Sequence, residues 1–243
     1  MQTSLRITPF LLLSMNKALV FDLSGDYAHF RRYYTTMSPL TFSVPPGTAL
    51  RGMLGAILGI DKTLAPEYFH DVELSLRVLN PIKKVNIPIN YIQVKSASDF
   101  SRYPAHKPTN IEFVKDPAYR VYLRTSNEAT YTALHEKLSR HESVYSLSFG
   151  ISETLANFAF VGEMEITKIA ANGVDSLVPL EYVKALPQTG DFQCFTEKLP
   201  MKMLNDREVI EYREFLFERT GARMLLEIPE AVQLSNGERV VFF

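Results

Sequence analysis

Hydrophobic and polar positions alternate with two different periods along this chain, and the changes of period mark its elements. Lys17 to Ser24 is apolar on both sides, with Leu19 and Phe21 on one and Val20 on the other, which predicts a buried strand. Gly25-Asp26 ends it. Leu50, Met53, Leu54, Ile57 and Leu58 follow a helical period after the stiff turn Pro45-Pro46-Gly47, and Thr48 is the expected N-cap. Ala65 to His70 fits one further helical turn. Val72, Leu74, Leu76 and Val78 alternate as a strand does, and Asn80-Pro81 breaks it. Val85 to Lys95 is extended with Pro88 inside, which suits an edge or a projecting ribbon. Residues 96–110 read as a polar loop tip, residues 111–114 as a return strand, and Tyr119 to Leu123 as another strand. Asn127 caps a predicted helix with Tyr131, Leu134 and Leu138 on one face, ending near His141. Phe158 to Ile169 is a long strand-like run.

With residues 81–117 set aside as an excursion, the order is strand, helix, strand, strand, helix, strand. That is an α+β chain of ferredoxin-like βαββαβ type, the frame of RNA-recognition (RRM-like) folds. The predicted domain spans residues 17–170. Beyond it lie short β-like runs at 177–183, 193–203, 211–217, 222–228 and 239–243, expected to form a smaller β-rich lobe over residues 171–243. Residues 1–16 are expected to be a flexible N-terminal extension. The patch Pro9 to Leu13 is too short to span a bilayer and lacks the flanks of a secretion signal.

Gly52 and Gly55 fall inside the predicted helix, and each costs about 1 kcal/mol relative to alanine. Close approach of another backbone, from protein or nucleic acid, is the expected compensation. Gly59 reads as the helix end.

Net charge is −1, yet it is unevenly spread. Residues 1–125 carry 15 Lys+Arg against 9 Asp+Glu, and residues 126–243 carry 11 against 18, giving +6 and −7. Either the first half faces a polyanion or the two halves pair with each other. Residues 77–125 are the most basic, with 9 Lys+Arg against 3 Asp+Glu. Cys194 is the single cysteine, so an internal disulfide and a cysteine-based zinc site are excluded, and a reducing, cytoplasmic setting is expected.

No metal or hydrolase motif is present, and the five histidines show no ligand spacing, so no cofactor is expected. RNA binding has more support. Arg31, Arg32, Tyr33 and Tyr34 combine guanidinium groups with rings on which unpaired bases stack. Lys83, Lys84, Lys95, Arg102, His106 and Lys107 add a basic ribbon. The helix start at Thr48 suits a phosphate, with Arg51 one turn in as reinforcement. The alternative is a metal-independent endoribonuclease in which Tyr33 or Tyr34, His106 and Lys107 handle protons and phosphorane charge.

The run FDLSGDYAHFRRYYTTMSPLTFSVPPGTALRGMLGAILG resembles the N-terminal signature of the Cas five family, CRISPR-associated proteins of the RAMP superfamily. Phe30-Arg31, Pro45-Pro46, Thr48, the segment Gly52 to Ala56 and Leu58-Gly59 carry the likeness. Leu147 to Glu153 resembles a second family segment, which adds Ser148 to the RNA-binding residues, although Phe149 and Ile151 replace its usual leucine and basic residue. The resemblance implies a capping subunit of a type I (type I-B) Cascade. Such a subunit binds the 5′ handle of the crRNA, contacts the backbone and large subunits, and meets target DNA through the complex. It also implies a β-hairpin thumb, for which residues 81–117 are the candidate. In type I-C the family member cuts the precursor RNA; the order His106-Lys107 here does not match that branch's Lys-His pair.

Overall fold

The computed structural model describes residues 16–35, 38–92, 96, 106–184 and 193–243. Among these residues, twelve strands and three α-helices follow in chain order: β1 Lys17–Ser24, β2 Tyr27–Ala28, α1 Gly47–Leu58, α2 Ala65–Tyr68, β3 Glu73–Val78, β4 Lys83–Ile92, β5 His106–Lys115, β6 Ala118–Arg124, α3 Glu128–Ser139, β7 Asn157–Ala171, β8 Val178–Pro179, β9 Cys194–Met203, β10 Val209–Glu218, β11 Ile228–Leu234 and β12 Arg239–Val240. The main sheet has the order β12-β11-β7-β1-β6-β3. Its members β7-β1-β6-β3 are antiparallel neighbours, the strand order of a ferredoxin-like unit. Leu19, Phe21 and Leu23 point from β1 into a core shared with α1 and α3, while Val20 joins a second cluster with Tyr122 on the opposite face. That opposite face is occupied by ion pairs: Arg120 bridges Asp22 and Glu238, and Arg77 also reaches Glu238. It is therefore not the bare platform of aromatics on which RRM domains stack bases.

The excursion is a hairpin. β4 and β5 pair from Lys83↔Lys115 to Ile92↔His106, and β2 joins at Lys115 and Val114. The return strand is longer than the apolar residues 111–114 predict, because backbone pairing continues through the polar end of the ribbon. Residues 171–243 are β-rich as expected, with a hydrophobic cluster of their own from Ala171 to Val241, and their strands divide between two sheets. β11 pairs with β7 and extends the main sheet, whereas β8-β10-β9 form a separate sheet whose Leu199, Met201, Phe215 and Phe217 join the main core. β11 also lies later than the expected run 222–228. Residues 1–15 lie outside the described residues.

Asn127 caps α3 as expected, accepting from the Thr130 N–H at 3.1 Å. The start of α1 differs. Its N-cap is Pro46, held extended, and the Pro46 carbonyl accepts from the Leu50 N–H; Thr48 lies inside the first turn. The close approach also differs from the expected one. A Cβ on Gly47 would lie 2.6 Å from the Met201 side chain, whereas one on Gly52 would meet nothing within 4 Å. Gly55 is buried, and a Cβ added there would lie 3.4 Å from the Ala65 Cβ and the Ile60 carbonyl. Gly59 ends the helix in the left-handed region, φ 76°.

Candidate nucleic-acid interface

Residues 31–35 and 38–41 lie against the root of the hairpin. Arg31 and Thr41 form a backbone bridge, the Glu112 N–H donates to the Pro39 carbonyl, and the Thr41 N–H donates to the Glu112 carboxylate at 3.1 Å. Lys84 donates to the Thr41 carbonyl at 2.9 Å and lies 3.3 Å from Glu112. From β9, Glu197 accepts from Arg32 at 2.5 Å, from the Ser43 hydroxyl at 2.7 Å and from the Ser43 N–H at 2.8 Å. Buried Tyr119 adds a hydrogen bond to the Ser43 carbonyl, and burial pushes its phenol above the ordinary range. The aromatic and arginine segment, the hairpin root and β9 are thus one polar-stapled unit.

Two cavities flank this unit, and Phe42 lines both. The larger, about 940 Å³, runs along the open side of α1 and collects Arg31, Thr48, Gly52 and Ser148 with Lys202 and Arg207. Ser148 is brought there because Phe149 accepts the His29 N–H at 2.9 Å and Gly150 abuts the His29 backbone. The smaller, about 640 Å³, is lined by Arg32, Tyr33, Tyr34, Lys84 and Glu197 among others. Tyr33 and Tyr34 are 62% and 57% exposed and meet edge to face at 5.1 Å, and Tyr33 also meets Tyr212 at 5.3 Å.

The expected site residues therefore separate. Arg31, Tyr33, Tyr34, Lys83, His106 and Lys107 are exposed, and Thr48 and Ser148 are partly so. Arg32 and Lys84 are tied to carboxylates, their side chains 21% and 27% exposed. Arg51 corrects the sequence expectation. It is 7% exposed and donates to the backbone carbonyls of Gly47, Phe69, Val72 and Met201, so it locks α1 to β9 and is not aimed at a phosphate. Burial lowers its pKa from the ordinary arginine value. Lys95 and Arg102 lie outside the described residues.

Charge asymmetry between the halves is partly consumed in the same way. Lys17–Glu163, Arg32–Glu197, Lys84–Glu197, Arg77–Glu238 and Arg120–Glu238 each join the basic half to the acidic half. Within the basic half, Arg31, Lys62, Lys83, Lys107 and Lys115 have no ion pair among the described residues, so the uncommitted surface charge of that half lies on this segment, the large cavity and the hairpin. No cluster of three or more metal-ligating side chains occurs among the described residues. None of the described helices is long and apolar enough to cross a membrane.

The sequence profile of CRISPR-associated protein (Cas_Cas5) matches residues 18–213. The chain belongs to the Cas five family. Its fold is similar to that of a CRISPR protein from Archaeoglobus fulgidus, with a TM-score of 0.54 at 15% identity over 92% of this chain and 97% of that one. A chain of a solved CRISPR RNA-guided surveillance complex is similar at a TM-score of 0.53 and 14% identity, over 87% and 91%. No curated protein sequence matches. Within this Cas five protein, Glu197 and Glu112 are the organising residues that the sequence left unmarked. Glu197 acts on partners 154 and 165 positions away, so no local spacing points to it.

Proposed function

We propose that this Cas five family protein is a non-catalytic, crRNA 5′-handle-binding capping subunit of a type I (type I-B) CRISPR surveillance complex. In that setting it works beside the backbone and large subunits, which together with the guide engage target DNA. One observation carries the reading: Arg31, Thr48 and Ser148, from three separate segments, line one cavity of about 940 Å³ beside a projecting hairpin with exposed Lys83 and Lys107. Phosphates favour such uncommitted cations, and exposed Tyr33 and Tyr34 offer faces to unpaired bases. Family membership and the likeness to a chain of an RNA-guided surveillance complex support the same role.

The ribonuclease alternative is disfavoured by distance. Tyr33 and Tyr34 line the cavity that Lys84 also lines, at the hairpin root. Lys107 pairs with Tyr91, which is seven residues along β4 from Lys84 (91 minus 84). At ~3.4 Å per residue this is about 24 Å, far beyond the reach of one reacting phosphate.

Incubating the full chain with a CRISPR repeat RNA in EDTA tests both parts. Expected are salt-dependent binding and an intact RNA. Site-specific cleavage that disappears in Tyr33→Phe or His106→Ala would overturn the non-catalytic role, and binding that salt does not weaken would overturn the handle-binding role.

A further inference from the structure

The cavity of about 640 Å³ beside Tyr33 and Tyr34 has a feature that phosphate binding does not require. A carboxylate, Glu197, lines it, with its side chain only 9% exposed. The same cavity is lined by Tyr33, Tyr34 and Phe195, all large exposed rings, and by Lys198, which sits 5.8 Å over the Tyr212 ring. Flat apolar walls suit a nucleobase, and a lysine beside them suits the adjoining phosphate. Glu197 in contrast repels phosphate and suits a ligand that donates hydrogen bonds.

Acceptor capacity remains on that carboxylate. Glu197 Oε1 accepts from Arg32 and the Ser43 hydroxyl, and Oε2 accepts from the Ser43 N–H. A carboxylate offers about four lone-pair sites, so these three hydrogen bonds leave one open, on Oε2, while Lys84 lies 3.8 Å from Oε1 as an ion-pair partner. These bonds also fix the group, so that it cannot turn away from a mismatched ligand without breaking the staple of the Arg31–Thr41 segment.

We propose that this cavity is a base-selective subsite that holds one unstacked nucleobase of the RNA and favours an amino-bearing base over uracil. The inference rests on the RNA-binding reading above. An exocyclic amine, as on cytosine N4, donates to the free Glu197 site. Uracil presents carbonyl oxygen at the corresponding position, and its one N–H lies between two carbonyls that a carboxylate repels. Selectivity arises because the wrong base leaves like-charged acceptors facing each other in a partly dry site.

Cytosine and uracil have similar shape and stacking surface, so they isolate this contact. Fluorescence anisotropy with the full chain and the octamers rC8 and rU8 is expected to give about tenfold tighter binding of rC8. An octamer of N4,N4-dimethylcytidine, which has lost both amine hydrogens, is expected to bind no better than rU8. Glu197→Gln is expected to bring rC8 and rU8 to within about twofold, while Lys198→Ala weakens both equally. Equal affinity of the unaltered protein for rC8 and rU8, or undiminished binding of the dimethylated octamer, would overturn the subsite and leave RNA binding standing. Absence of salt-dependent binding to every octamer would overturn both. The dimethylated probe decides the matter even if Glu197→Gln does not fold.

Discussion

Gly150 packs directly on the backbone of His29: a Cβ at position 150 would lie 2.1 Å from the His29 carbonyl oxygen. Gly150 also has φ 98°, a conformation that side-chain-bearing residues rarely adopt. This contact places the segment carrying Ser148 beside the segment carrying Arg31, and so assembles the wall of the larger cavity. Gly150→Ala must therefore move one segment away from the other. We expect a loss of about 3 kcal/mol in urea unfolding, from steric overlap plus backbone strain. A loss below 0.5 kcal/mol, taken as roughly the neutral range for surface changes, would show that the contact is not rigid.

Gly52 is the opposite case. It is exposed in the middle of α1, and a Cβ there meets nothing within 4 Å. Nothing among the described residues compensates its helix cost, so Gly52→Ala is expected to stabilise the isolated protein by roughly 0.5–1 kcal/mol in thermal or urea unfolding. The same substitution is expected to weaken RNA binding or assembly, because Gly52 lines the large cavity. Stabilisation without any change in binding would place the RNA path elsewhere.

Much of this arrangement is legible in the sequence because it is local. The alternation of Leu19, Val20 and Phe21, the cap at Asn127 and the extended run after Asn80-Pro81 each depend on neighbouring residues, and the corresponding elements occur where the pattern puts them. What the pattern misses is long-range. Arg51 has the same spacing as a phosphate-binding residue one turn into a helix, but β9, 150 positions on, supplies a carbonyl that turns it inward. β11 reads like any short strand, and only its pairing with β7 decides that it extends the main sheet. The glycine cost in α1 is visible in the sequence, whereas its local cause is not: the tight contact falls at Gly47, beneath Met201, and Gly52 faces open space.

Cations that look equivalent in sequence are expected to differ in how they respond to salt. Arg31 has one hydrogen bond, to the Thr35 carbonyl, and no ion pair among the described residues. Lys84 lies between Glu112 and Glu197. If each free cation that meets a phosphate releases counterions, Arg31→Ala lowers the slope of log K against log salt by about one. Lys84→Ala leaves that slope nearly unchanged and instead destabilises the hairpin root, because Glu112 and Glu197 lose a shared ion-pair partner. Binding measured between 50 and 300 mM salt, alongside unfolding curves for both variants, separates the two roles. Equal slope changes for Arg31→Ala and Lys84→Ala would mean that the carboxylates release Lys84 when RNA binds.

His29 gives the same region a pH response. It is buried against Phe113, and since a carbonyl only accepts, its Nδ1 donates to the Glu112 carbonyl at 2.7 Å. Burial lowers its pKa below the ordinary histidine value, with the Glu112 carbonyl opposing and nearby Arg31 adding to the shift. The sign follows. Below pH ~6.5 the unfolded chain takes up a proton that folded His29 resists, so stability falls as pH drops through that value and levels off below the folded pKa. One proton limits the slope to about 1.4 kcal/mol per pH unit. Carboxylates such as Glu163, held below its ordinary pKa by the hydrogen bond from Lys17, lose their contribution only as pH falls below ~4.5. The interval from pH 6.5 to 5 therefore separates His29 from the carboxylates. Unfolding in urea across that interval should show declining stability in the unaltered protein and a flatter profile in His29→Asn, which keeps a donor for Glu112 but does not titrate. Parallel profiles for the two proteins would assign the acid sensitivity to another group.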